Sequence, residues 1–224
     1  MSHIISNGNK IFYELFERKS DYIVIYVAGH REIAHEKYKP NKIRDFCLKN
    51  DISFCWYDYM GYGKSEGIKD VWQVSEWLQN IVDVMDALPN KKLILVGNSM
   101  GGYLMLGAGL LKSEKIAGMF GFVPGFGKSF NDNPTKFIAD FQGKIKIDIL
   151  NDQGFNYINQ PLDIKCPVSL LYSYDDESVD IRSASLMLKS VKQAQIMKVR
   201  GISHKMEDDN CIDLATFFIK AIAK

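Results

Sequence analysis

The chain has 224 residues, 46% hydrophobic and 25% charged, and its 28 Lys and Arg against 27 Asp and Glu leave a formal charge of +1. This length and composition suit one well-packed domain over residues 1–224 and are too small for two complete ones. The balanced charge lacks the basic excess or stripe of a nucleic-acid binder, and the longest apolar runs, Tyr22 to Ala28 and Tyr103 to Leu111, are well short of a membrane span.

The first residues, Met1 to Lys10, are polar and carry neither the apolar core of a secretory signal nor the Arg- and Ser-rich pattern of a transit peptide. Lys10 to Phe16 reads as an edge strand or hairpin arm. Tyr22 to Ala28 is an apolar, β-branched run of the kind buried on both faces of a sheet. Asn41 to Lys49 reads as a helix, and Ile52 to Tyr57 as a strand entering a Gly-rich turn. Asp70 to Leu88 is a helix with Val71, Val74, Leu78, Ile81, Met85 and Leu88 on one stripe, Asp70 as its N-cap and Pro89 after its end. Leu93 to Val96 is a short strand, Met100 to Lys112 a helix of small and apolar residues, and Ile116 to Val123 a strand. Strand Pro167 to Tyr172, helix Ile181 to Val191, strand Gln195 to Val199 and helix Cys211 to Ala223 complete the chain. Alternation of this kind predicts an α/β fold, a mostly parallel sheet flanked by helices on both faces. The rhythm breaks between Pro124 and Cys166, where Phe126, Phe130, Phe137, Phe141, Phe155 and Tyr157 mix with Gly, Asn and Pro. An interruption of this length in a compact domain predicts a small cap or lid at about 124–166.

Chemistry centres on Gly97-Asn98-Ser99-Met100-Gly101, a G-x-S-x-G pattern between a predicted strand and a predicted helix. So tight a turn strains the serine backbone, and glycines two positions either side remove the clashes. A Gly-rich turn that merely joins strand to helix is the bland alternative. A serine nucleophile needs a base, and the base an orienting acid. His204 lies in the loop between the last strand and the last helix, and Asp175 and Asp176 follow strand Pro167 to Tyr172. Ser99, Asp176 and His204 therefore stand in the order Ser, Asp, His, each just past the C-terminal end of a predicted strand, where open parallel sheets bind ligands. Asp176 is preferred because the spacing to Val179 suits a turn that points it back to the sheet edge, and Asp175 could replace it after a small loop shift. Expected oxyanion donors are the backbone N–H of Met100 and that of His30, in the loop after the first long strand. The His30 imidazole reads either as a wall of the pocket or as solvent-facing, and His3 and His35 read as surface residues. Cysteines 47, 55, 166 and 211 form no CxxC pair and have no metal-site spacing, so free thiols in a reducing compartment, and the cytoplasm as location, are expected.

The set Gly29-His30, Asp58 to Ser65 (DYMGYGKS), Gly97 to Gly102, Asp176 with Val179, and His204 resembles the α/β-hydrolase superfamily, from about Phe12 to Ile222. Phe54 to Ser65, Ile94 to Ala108, Cys166 to Val179 and Ser203 to Glu207 are most similar to the small acyl-protein (palmitoyl) thioesterase and acyl-glucuronide esterase type. The resemblance implies ester or thioester cleavage with Ser99, Asp176 and His204 as the catalytic groups. The chain departs from the usual pattern at Ala28, where a His commonly precedes the glycine, at Asn98, where His commonly precedes the serine, and at Ser173, where Gly commonly stands.

The expected function is thus a serine hydrolase acting on a small-molecule or acyl-chain ester or thioester, with no metal or organic cofactor. Phe126 and Phe130 are candidates for an apolar wall against an acyl chain, with packing of the cap onto the domain as the alternative. A peptidase or lysophospholipase on the same scaffold, and a non-catalytic ligand-binding module, are the rival readings.

Overall fold

The computed structural model describes residues 2–69, 73–125 and 161–224. In chain order the elements are β1 (Ser2–Ser6), β2 (Asn9–Phe16), β3 (Tyr22–Val27), α1 (Tyr38–Lys49), β4 (Ser53–Tyr57), α2 (Val74–Ala87), β5 (Lys92–Asn98) and α3 (Met100–Leu111). After β6 (Ile116–Phe122) come β7 (Val168–Ser173), α4 (Arg182–Ser190), β8 (Gln195–Val199) and α5 (Asp209–Ile222).

The strands form one eight-stranded sheet in the order β1-β2-β4-β3-β5-β6-β7-β8. β2 alone runs antiparallel to the rest of the sheet, and every pair from β4 to β8 is parallel. The continuous apolar runs are the central strands: every residue of β4 and β7 is buried, and β3 is buried from Ile23 onward. From β3 the chain winds first towards β4 and then back towards β5. Right-handed crossovers therefore place α1 on one face and α2 with α3 on the other. Accordingly α1 packs with α5, and α2 packs with α3. α3 is buried from Met100 to Gly109, which accounts for its small, apolar composition.

Most boundaries differ from the sequence-based expectation by a residue or two, and four differences have a clear cause. β1 lies within the polar start of the chain and pairs with β2 across a turn at Asn7 and Gly8, whose φ values are 48° and 76°. α1 begins at Tyr38, because Pro40 sits in the first turn, where a missing amide costs nothing. α2 begins at Val74 and its N-cap is Gln73, not Asp70: Gln73 and Glu76 form a reciprocal capping box. α5 starts at Asp209 behind Asp208, whose carboxylate accepts from the amides of Asn210 and Cys211. Asp70 and Val71, Phe126 and Phe130, and most of the expected cap lie outside the described residues.

Candidate active site

The C-terminal ends of β3, β5, β6, β7 and β8 share one edge of the sheet, with Val27 beside Gly97, Asn98 beside Phe122, and Ser173 beside Val199. Ser99 sits between the end of β5 and the start of α3 with φ 52° and ψ −120°, a conformation costly for an L-residue. Close approach explains its glycines. A Cβ on Gly97 would stand 2.5 Å from the Gly102 Cα, and one on Gly101 would stand 2.2 Å from the carbonyl oxygens of Val27 and Ala28. The strained backbone is held by its neighbours: the Ser99 amide donates to the Phe122 carbonyl at 2.8 Å, and the Gly125 amide donates to the Ser99 carbonyl at 3.2 Å.

Ser99 Oγ lies 3.0 Å from His204 Nε2, and His204 Nδ1 lies 2.8 and 3.0 Å from the two carboxylate oxygens of Asp176. A carboxylate only accepts, so it selects the tautomer with hydrogen on Nδ1, leaving Nε2 to accept the Ser99 hydroxyl. Asp176 is 6% exposed, and its Oδ1 also accepts from the amides of Ser178 and Val179 at 2.7 and 2.8 Å. Asp175 points elsewhere: it is exposed, and its Oδ2 accepts from the Gly201 amide at 2.6 Å. Ser173 Oγ donates to the Ile202 carbonyl and accepts from the Asp175 amide, and Glu177 accepts from the His204 amide at 3.2 Å. These braces around the histidine loop were invisible in the sequence, because each depends on which loops meet across β7 and β8.

Met100 opens α3, so its amide has no partner within the helix. The contact of Gly101 with Val27 and Ala28 brings the loop carrying His30 against the same turn. The His30 imidazole is half-buried and packed near aromatic rings, 6.4 Å from Tyr62 and 6.2 Å from Trp77, with Tyr59 stacked on Trp77 at 4.2 Å. His3 is exposed, whereas His35 is half-buried near Trp56. Asp58, from the Gly-rich turn after β4, is buried and accepts from the Lys64 amide; burial pushes its carboxyl above the usual range.

All four cysteines are unpaired and buried. Burial raises every one of these thiols, Cys166 to about 11, which disfavours the thiolate at each. Among the described residues no group of His, Cys, Asp and Glu converges in a way that could hold a metal ion, and no helix is long and apolar enough to cross a membrane.

Residues 33–146 match a family model described as alpha/beta hydrolase fold. The palmitoyl-protein thioesterase ABHD10, mitochondrial, of Bos taurus is 25% identical over 203 residues, covering 81% of this chain and 66% of that protein. The protein of the same name from Rattus norvegicus is 27% identical over 176 residues, covering 70% and 59%. The chain thus spans 66% and 59% of the lengths of these two relatives. Among solved structures, a putative hydrolase from Agrobacterium vitis S4 superposes with a TM-score of 0.86 at 20% identity, covering 100% of this chain and 98% of that one. Alpha/beta hydrolase domain-containing protein 10 from mouse gives 0.81 at 22% identity, covering 98% and 96%. With the family match extending over half its length, and the sheet order and strand-end site described above, this chain belongs to the alpha/beta hydrolase fold family.

Proposed function

We propose that the chain is a serine hydrolase that cleaves carboxylic esters or thioesters through an acyl-enzyme on Ser99. The observation that carries the reading is the unbroken relay from Ser99 Oγ to His204 Nε2 at 3.0 Å, and from His204 Nδ1 to Asp176 at 2.8 Å. His204 takes the hydroxyl proton as Ser99 Oγ bonds to the acyl carbon, and the buried Asp176 carboxylate stabilises the imidazolium. The amides of Met100 and His30 hold the oxyanion. Collapse of the tetrahedral intermediate breaks the bond to the leaving oxygen or sulfur, which receives the proton from His204. Water then attacks the acyl-enzyme by the same route and frees the acid and Ser99. The names of the relatives in cattle and rat support the thioester side of the reading. Four buried, unpaired thiols support a reducing compartment, a condition met by the proposed cytoplasm and also by the organelle in those relatives' names.

A fluorophosphonate probe tests the nucleophile without knowledge of the substrate. Labelling of the folded chain is expected, with complete loss in Ser99→Ala; undiminished labelling of that variant would reject Ser99. A panel of acyl thioesters and oxygen esters of graded length, with aminoacyl amides and lysophospholipids beside them, then assigns the reaction. Turnover confined to the amides or the lysophospholipids would replace the proposed substrate class.

A further inference from the structure

Lys39 is a buried cation with no part in the reaction proposed above. It lies in the first turn of α1 and is 1% exposed. Desolvating an ammonium is costly, so a lysine in such a place is retained only with good partners. Burial drives its pKa down to about 8, and the negative charges of Glu32 and Glu207 and the Cys211 thiol pull the other way.

Its partners are chosen from the loops that carry the proposed chemistry. Lys39 Nζ donates to Asn98 Oδ1 at 2.7 Å and to the Lys205 carbonyl at 2.8 Å, and it stands 4.6 Å from the centre of the Phe122 ring. Asn98 immediately precedes Ser99, and Lys205 immediately follows His204. On its other side Asn98 Nδ2 donates to Glu32 Oε2 at 2.8 Å. The same oxygen accepts from the Gly29 amide at 2.6 Å, and Glu32 Oε1 accepts from the Tyr26 hydroxyl at 2.8 Å. An ammonium only donates and a carboxylate only accepts, so Asn98 has a single orientation between them. The result is a cation, an amide and an anion in series, joining the loop of Gly29 and His30, the turn of Ser99 and the loop of His204.

We propose that Lys39 is a positioning residue that clamps the Ser99 turn to the His204 loop through Asn98 and the Lys205 carbonyl, with Glu32 extending the clamp to the oxyanion loop. The proposal rests on the roles given to Ser99 and His204 above. An apolar side chain of similar length would fill the space under the sheet edge but could not hold acceptors on two separate loops. The spacing of nucleophile and base would then be set by packing alone. Misplacement by about 1 Å is enough to cost on the order of a hundredfold in rate.

The test uses the full chain with Lys39→Met, Asn98→Ala and the double variant, beside wild type and Ser99→Ala. Three quantities are read: the second-order rate of fluorophosphonate labelling, kcat and KM on an activated acyl ester, and the thermal midpoint. Each single variant is expected to label about tenfold or more slowly, with the loss in kcat and KM held. The double variant should be no slower than about twofold beyond the slower single, because both changes cut one link. A folded Lys39→Met that labels within about twofold of wild type overturns the clamp, and so do losses that multiply in the double variant or fall on KM. Should Lys39→Met not fold, Asn98→Ala cuts the same bond from the other end, and a wild-type rate there overturns the proposal equally. Absence of labelling in wild type would remove the Ser99 reading and the clamp together, whereas labelled wild type with unaffected variants removes the clamp alone.

Discussion

Asp176 is buried against His204 while Asp175, its neighbour in sequence, is exposed and spends its carboxylate on the Gly201 amide. Asp176→Asn should therefore lower kcat by about 10³–10⁴-fold, since the amide no longer selects the Nδ1–H tautomer. Asp175→Asn should cost less than about tenfold, through the loop alone. A larger loss in Asp175→Asn than in Asp176→Asn would exchange their roles. Ser99, Asp176 and His204 were legible in the sequence because their order and their places after strands form a pattern. Lys39 was not: nothing in Tyr38-Lys-Pro-Asn-Lys sets it apart from the chain's other basic residues, and α1 itself was expected to start beyond it. Asn98 was noticed only as a departure from a usual histidine. Its role emerges once Lys39 and Glu32, which lie 59 and 66 positions away, are seen on either side of it.

At the scale of elements, the turn between β5 and α3 is decided by contacts a side chain would fill. Gly101→Ala places a methyl 2.2 Å from the Val27 and Ala28 carbonyls, so the loop of Gly29 and His30 and the Ser99 turn must separate. Overpacking of this kind should cost about 1–3 kcal/mol and slow labelling of Ser99 by about tenfold or more, read by denaturant titration and probe kinetics. Unchanged labelling in a destabilised variant would show that the two loops need not touch for Ser99 to react. The buried strands were legible as apolar runs, because burial on both faces leaves no polar alternation to obscure them. β1 was overlooked because its composition is polar, although Asn7-Gly8 is the hairpin signal that accompanies it. The start of α2 was misplaced because Asp is a favoured cap residue and Gln is not, and only the reciprocal bonds with Glu76 select Gln73.

Over the whole molecule, Lys39 also sets a dependence of stability on pH. Its folded pKa of about 8 lies below the ordinary 10.5. Between those values the unfolded chain holds a proton that the native chain has released, so stability rises with pH across the window and the gain is lost as pH falls through 8. Relative to Lys39→Met, wild type should gain up to about 3 kcal/mol in denaturant titrations between about pH 7.5 and about pH 10.5. A pH-independent difference between the two would show that the lysine keeps its ordinary pKa. The neutral amine still has hydrogens for both acceptors, so the gain does not require the clamp to open. Another consequence lies in how the Ser99 turn is tied down. Its carbonyl accepts from the Gly125 amide, and its amide donates to the Phe122 carbonyl. Both moorings are main chain to main chain, so a substitution at Phe122 removes neither, and at Gly125 only proline would remove the donor. Side chains around the turn can therefore drift, and alter what lies against Ser99, while the strained backbone keeps its two ties.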